Sequence, residues 1–290
     1  MPVSEQTRVS TLNLLNSLNM LEDRIGWFSE DLGQVKPDIL LLQEVMFETP
    51  LKSKSLDTIA SHTDLKIVTA LDQSDLRPDS YFSGIAIMSS LPVLEEGTVF
   101  VGRQFPRASQ PKVAYAVLEA KPGVAFIVVT GHLHWGGDQE YSRFMQMVDV
   151  NKFVSGMMDK YRDMKPIAVF GGDFNSMPDS ESLRYMKGLA SAPDHSGAFW
   201  VDPFDMFNGD EPAGTVVSDN HWAKQTGRSK DILLSHLIPD RRIDYLLSYG
   251  WVYGKHGTPL SYQRCFDGLY GEGQFPISDH YGLTVDYWVR

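Results

Sequence analysis

Carboxylates, amides and imidazoles recur at the ends of apolar runs in this 290-residue chain. Asp173 and Asn175 close the run AVFGGDFN. On an extended backbone, residues two apart point to one face, so the two side chains can serve one ligand. Polar residues sit in the same way at Asn13 (TLN), Glu44 (ILLLQE), His132 and His134 (IVVTGHLH), Asp244 (RIDYLL), and Asp279 with His280 (PISDHYGL). Taken singly, each has a plain structural explanation. Gly, Asp, Asn, Ser and Pro end strands in turns; Glu44 can be a solvated strand end, Asp244 can pair with Arg241 or Arg242, and His132 can be a satisfied core histidine. Taken together, six strand ends supply what a sheet scaffold needs to assemble a catalytic constellation from distant parts of a chain. Hard oxygen donors, with Cys265 as the single cysteine, suit Mg2+ or Mn2+ better than a thiolate-seeking metal. The chemistry implied is attack of water on phosphorus.

Such residues need strands to carry them. Strand-like runs cover 9–15, 38–42, 65–70, 84–90, 112–119, 125–130, 167–170, 243–247 and 282–287, and helical spacing with polar faces covers 21–32, 142–161 and 180–189. Strands dominate and helices intervene at only some crossings. The pattern favours an α/β fold of two packed mixed β-sheets flanked by helices over a purely parallel doubly wound sheet. With no internal repeat and no low-complexity linker, residues 1–290 read as one domain.

No apolar run approaches the roughly 20 residues that span a bilayer, so stable membrane insertion is not expected. The start, MPVSEQTRVS, lacks the layout of a signal peptide, and a cytoplasmic monomer is the expectation. One cysteine excludes an intramolecular disulfide and any multi-thiolate zinc site. The net charge of −11 means that a nucleic-acid substrate needs a local basic patch or metal ions. The interval 191–242 is the least regular. Within it Trp222 offers a stacking face, and Lys224, Arg228 and Lys230 offer cations, a mixture suited to single-stranded nucleic acid, to a membrane surface, or to a disordered loop. Trp222, Lys224 and Arg228 are therefore the expected substrate contacts.

The ordered set TLN, LLQEV, TGHLHW, GGDFN, RIDYLL and SDHYGL resembles the endonuclease/exonuclease/phosphatase superfamily, from Asn13 to His280. The resemblance implies a four-layered α/β sandwich with its site at one end of two packed sheets. It implies that Glu44 is the principal metal carboxylate, with Asn13 beside metal and phosphate and Asp279 as a metal-side carboxylate for Mg2+ or Mn2+. By the same resemblance Asp173 orients or deprotonates the attacking water, and Asn175 holds the water and a phosphate oxygen. His132 stabilises phosphoryl charge, and His280, partnered by Asp244, is the second catalytic histidine. Whether Asp173 or His280 is the general base stays open. The implied substrate is a phosphate ester, nucleic acid first and a phospholipid, sphingomyelin or inositol-phosphate headgroup second. The rival from another class is a catalytically silent binding module, against which the retained site residues argue.

Two departures stand out. Leu15 occupies a position where some members carry an aspartate, which bears on a second metal. His134 replaces a common glutamate, and HLH invites a zinc reading, although Gly136 stands where zinc hydrolases need an aspartate. Arg143 and Gln146 match a recurrent R-x-x-Q and can equally be a solvated or locally hydrogen-bonded helix face.

Overall fold

Two apolar runs separated by a helical segment occur twice in the chain, and each time they fold as parallel strands joined by a helical crossover. The first unit is β1 (Gln6–Asn13), α1 (Leu21–Val35) and β2 (Ile39–Phe47); α2 (Lys54–His62) follows it. The second is β7 (Val124–His132), α3 (Glu140–Lys160) and β8 (Ile167–Asp173). Parallel neighbours cannot be joined by a tight hairpin, so each pair needs a long crossover, which here is a helix. The computed structural model describes residues 5–49, 52–72, 82–102, 112–207, 214–225, 240–250 and 256–290.

Antiparallel strands extend both units. They are β3 (Lys66–Asp72), β4 (Phe82–Ser89), β5 (Val93–Phe100), β6 (Lys112–Lys121), β9 (Trp200–Val201), β10 (Asp244–Tyr249), β11 (Gln263–Cys265) and β12 (Gly282–Trp288). One six-stranded sheet runs β11-β12-β1-β2-β4-β3 and the other β5-β6-β7-β8-β10-β9. The inner faces meet through Val9, Leu41, Ile85 and Val285 against Ala116, Val128, Val169 and Leu246. On the outer face of the first sheet, Leu12, Leu40 and Leu42 pack under α1 and α2 through Phe28 and Ile59. On that of the second, Ile127, Val129 and Phe170 pack under α3 and α4 (Glu181–Met186) through Val154 and Leu183. Strands buried on both faces explain the unbroken runs ILLL and FIVV. The result is the anticipated helix, sheet, sheet, helix sandwich.

The structure adds elements that patterning did not suggest. Edge strand β5 reads VLEEGTVF and is half-exposed, so it carries no apolar alternation. Helix α2 is capped at Ser53, whose hydroxyl accepts from the Leu56 amide at 3.3 Å. The short helices α5 (Pro203–Phe207) and α6 (His221–Gln225) lie in the interval that read as irregular. No helix among the described residues is long and apolar enough to cross a membrane.

Candidate active site

The parallel strands β1, β2, β7 and β8 finish at one end of the sandwich, where β10 and β12 begin. Asp173, the last residue of β8, stands in register between His132 of β7 and Asp244 of β10. The two preceding glycines are what allow this. Gly172 has φ of 132°, and a Cβ there would lie 2.2 Å from the Gly131 carbonyl oxygen. A Cβ on Gly171 would meet Leu246 at 2.5 Å and Leu41 at 2.8 Å, closing the gap between the sheets.

Asp173 is the meeting point of the site. Its Oδ2 accepts from Asn13 Nδ2 at 3.1 Å and lies 3.4 Å from His132 Nε2 and 3.8 Å from His280 Nε2. Its Oδ1 accepts from the Asn175 amide at 2.9 Å, and Asn175 Nδ2 donates to the Leu133 carbonyl at 3.1 Å. Asn175 holds φ of 50°, a left-handed conformation that asparagine tolerates better than most residues.

Glu44 reaches the same spot through a β-bulge. The register of β2 against β4 shifts between Leu42 and Val45, and Glu44 itself has φ of 50°. Bulges re-aim a side chain at the rim of a sheet. Glu44 Oε1 accepts from Asn13 Nδ2 at 3.2 Å and lies 3.9 Å from His132 Nε2, while Oε2 accepts from the Asn16 amide at 3.0 Å. Burial opposes its charge, but His132, the Asn16 amide, His280 and Asn13 together hold its carboxyl below the usual range. Asn13 thus presents N–H to two carboxylates, and its own oxygen accepts from the Leu15 amide at 3.0 Å. In this arrangement the Asn13 amide spans the two carboxylates.

His280 is buried and its Nδ1 donates to Asp244 Oδ2 at 2.9 Å. Burial disfavours the imidazolium, yet the carboxylates of Asp244 and Asp173 outweigh it and push the pKa up to about 10. Asp244 therefore pairs with His280 and with neither neighbouring arginine. Arg242 instead forms a buried ion pair with Asp202 at 2.8 Å. Burial pushes the Asp279 carboxyl up, against the pull of His280, with Glu44 adding to the rise.

Several supports were not legible in the sequence. Gln43 Nε2 donates to Thr11 Oγ1 at 3.1 Å and to Thr130 Oγ1 at 3.0 Å, bridging the two sheets directly beneath the site. Thr215 Oγ1 accepts from the amides of Ile243 and Asp244 at 3.1 and 3.3 Å. Buried Arg24 donates to the carbonyls of Leu14, Leu15, Ser17, Asn19 and Ile277, tying the turn after Asn13 to the segment that carries Asp279 and His280. Ser278 Oγ closes the same joint by donating to the Asn13 carbonyl at 2.6 Å. Nothing but the type of these residues marks them in sequence, because their partners are remote in the chain.

One expectation changes, and the structure bears on two readings that the sequence left as alternatives. Trp222 is no stacking face: it is 4% exposed, its Nε1 donates to the Pro276 carbonyl at 2.6 Å, and its ring stacks on Phe275 at 5.5 Å. Its indole has a carbonyl to satisfy and a ring to cover, so it goes into the core behind the Asp279–His280 segment. Lys224 beside it is exposed, and Arg228 and Lys230 lie outside the described residues. Arg143 and Gln146 are not a solvated face. Both are buried, with Arg143 Nη1 donating to the His134 and Gly136 carbonyls at 2.9 and 2.7 Å and Gln146 Oε1 accepting from the His134 amide at 3.2 Å. HLH is not a paired metal site: His132 lies toward Asp173, whereas the His134 ring bonds the Ser142 hydroxyl. The group of possible metal donors found together among the described residues is Asp173, Asp244 and His280, within 4.8 Å of one another.

A family model described as the endonuclease/exonuclease/phosphatase family matches residues 11–280. No match was found among curated proteins. Among solved structures, a truncated TDP2 from Caenorhabditis elegans superposes with a TM-score of 0.70 at 16% identity, covering 98% of each chain. TDP2 from D. rerio, complexed with a single-strand DNA product, gives 0.70 at 18% identity, covering 97% of this chain and 98% of that one. The human nocturnin catalytic domain, with a bound sulfate anion, gives 0.68 at 18%, covering 98% and 93%. At these identities the structural likeness is one of fold, and the family assignment rests on the model that spans nearly the whole chain. The chain belongs to the endonuclease/exonuclease/phosphatase family.

Proposed function

We propose that the chain hydrolyses phosphoric esters of nucleic acid by in-line attack of water on phosphorus, acting as one domain. The observation that carries this reading is the convergence of Asn13, His132, His280 and Asn175 on the single carboxylate of Asp173. A divalent cation fits the donor chemistry. Glu44 and Asp279 are oxygen donors whose mutual repulsion adds to the raised pKa of Asp279, and a cation relieves such repulsion. Asp244 Oδ1, buried without a protein partner, belongs to the neighbouring donor group with Asp173 and His280. Glu44 and Asp279 would hold Mg2+ or Mn2+, which when bound supplies Lewis-acid stabilisation of charge on the phosphoryl oxygens.

The remaining work falls to the chain's own residues. His280, held in one tautomer by Asp244 and favoured in its charged form by the carboxylates of Asp244 and Asp173, donates from Nε2 and stabilises negative charge. Asp173 orients the attacking water and takes its proton, fixed in place by Asn13 and the Asn175 amide. His132 adds a second imidazole beside the same oxygen. Nucleic acid is favoured as substrate because a similar fold, D. rerio TDP2, was crystallised with a single-strand DNA product. The test is hydrolysis of single-stranded DNA and RNA oligonucleotides with Mg2+ or Mn2+, compared with EDTA and with Asp173→Asn. Metal-dependent cleavage lost in both controls is expected. Cleavage that persists in EDTA, or turnover of sphingomyelin or inositol phosphates in place of oligonucleotides, would overturn the reading.

A further inference from the structure

We propose that Thr215 is a positioning residue for the Asp244–His280 pair, holding both partners through its side chain and its own backbone; this rests on the reading of the site as a phosphodiesterase. Thr215 is fully buried. Its hydroxyl oxygen accepts from the amides of Ile243 and Asp244 at 3.1 and 3.3 Å. Its carbonyl accepts from the amide of Tyr281, the residue after His280, at 2.7 Å. One residue therefore ties the backbone that carries the carboxylate to the backbone that carries the imidazole. Among the described residues β9 pairs with β10 at Ser248 and Tyr249, so on that side the start of β10 meets Thr215 in place of a strand. Thr215 is itself fixed there. Its amide and that of Val216 donate to the Arg241 carbonyl at 2.8 and 2.9 Å, and the Arg241 amide returns a bond to the Val216 carbonyl at 2.8 Å.

The hold matters because little else aims the carboxylate. Asp244 is buried; its Oδ2 accepts from His280 Nδ1, and its Oδ1 has no hydrogen-bond partner among the described residues. A carboxylate bonded through one oxygen to the very group it orients takes its direction from the backbone behind it. On one side that backbone is held by β8, where Asp244 stands opposite Asp173 and the Phe174 amide donates to the Ile243 carbonyl at 2.8 Å. On the other it is held by the Thr215 hydroxyl, which also favours the charged form of the carboxylate beside it. The segment that carries His280 is gripped from the same stretch of chain, since Asn220 Nδ2 donates to the Ser278 carbonyl at 2.9 Å. A group that fixes the partner of a catalytic imidazole fixes its tautomer and the direction of its free nitrogen. Serine would supply the same acceptor, whereas valine, of the same shape, would leave two buried amides unbonded.

The experiment compares wild type with T215V, T215S and T215A. It reads kcat and KM for bis-p-nitrophenyl phosphate with Mg2+, and the downfield proton resonance of His280 Nδ1–H bonded to Asp244, assigned by its absence in H280A. T215V should lower kcat about ten- to a hundredfold with KM within about twofold, the scale of losing an outer partner of a catalytic group. It should also shift or broaden the resonance, and T215S should recover both. In a D244N background T215V should cost less than about threefold, because the carboxylate it serves is already gone. If T215V does not fold, T215A against T215S makes the same comparison, since the space left by the smaller side chain admits water to the amides. A T215V protein with wild-type kcat and resonance overturns the proposal and leaves the phosphodiesterase reading intact. A loss of equal size in the D244N background makes Thr215 a support of the fold alone and also overturns it. If wild type turns over no phosphate ester, the phosphodiesterase reading falls and the resonance decides: unchanged in T215V it overturns the positioning role, and shifted in T215V but restored in T215S it upholds it.

Discussion

His134-Trp135 and His221-Trp222 are the same dipeptide in polar surroundings, and the molecule folds them in opposite senses. In the first, the histidine turns inward to Ser142 and the tryptophan is 66% exposed. In the second, the tryptophan is 4% exposed, and His221 sits edge-on to both Trp222 and Phe275 at 4.7 Å. What differs is what each segment is held by. The Trp222 indole finds a carbonyl at Pro276 and the Phe275 ring and anchors its own segment, whereas the loop after β7 is held through bonds to its backbone. A buried tryptophan needs an acceptor for its N–H, and the Pro276 carbonyl meets that need for Trp222. One dipeptide is left for the solvent side of the site, and the other braces the segment carrying Asp279 and His280.

The largest expected effect falls on the site that both dipeptides flank. Asp173→Asn should lower kcat about a thousandfold, in line with losing one preorganised group aimed at the reacting centre, with the circular dichroism spectrum unchanged. His280→Ala should do comparable damage, and Asp244→Asn less, because the latter disturbs tautomer and orientation only. If steady-state hydrolysis survives Asp173→Asn, the two segments flank something other than an active site.

Next in size is the contrast itself. Trp222→Ala should destabilise the fold by about 3–5 kcal/mol, as for other buried aromatic truncations. Trp135→Ala should stay within about 0.5 kcal/mol. Urea unfolding of the two variants side by side measures both, and equal losses would break the comparison. A finer probe is Trp222→Phe, which keeps a ring on Phe275 but abandons the Pro276 carbonyl. A cost of about 1 kcal/mol is expected, together with a higher Mg2+ concentration for half-maximal activity as the Asp279 segment loosens. An unchanged metal requirement would separate Trp222 from the site. The smallest effect belongs to exposed Lys224: Lys224→Glu should leave stability within about 0.5 kcal/mol and raise KM for an oligonucleotide by a small factor that shrinks with added salt.

Much of the scaffold was open to reading before any coordinates. Both crossover units were visible because strands covered on two faces are unbroken apolar runs, and α1 and α3 carry helical spacing. Edge strand β5 was not, since two adjacent glutamates and a glycine interrupt any pattern. The turn after GGD was legible in kind: the glycines do end a strand. They also let β8 pass within contact of its neighbours, a demand set by Leu41, Leu246 and Gly131, remote from it in sequence.

By itself the sequence determined the kinds of chemistry available and their order: carboxylates, amides and imidazoles at strand ends, hard donors without a thiolate cluster, and a two-sheet framework to hold them. These are local properties, written in residue type, period and turn chemistry. Only the tertiary structure decided that Asn13 bridges Glu44 and Asp173, that Asp244 takes His280 while Arg242 takes Asp202, that Gln43 and Arg24 brace the site, and which tryptophan faces water. Each of those outcomes depends on where a second group lies across two packed sheets. Hydrogen bonds and burial act over a few ångströms of space, and the chain distances they span, 31 residues from Asn13 to Glu44 and 160 to Asp173, leave no local mark.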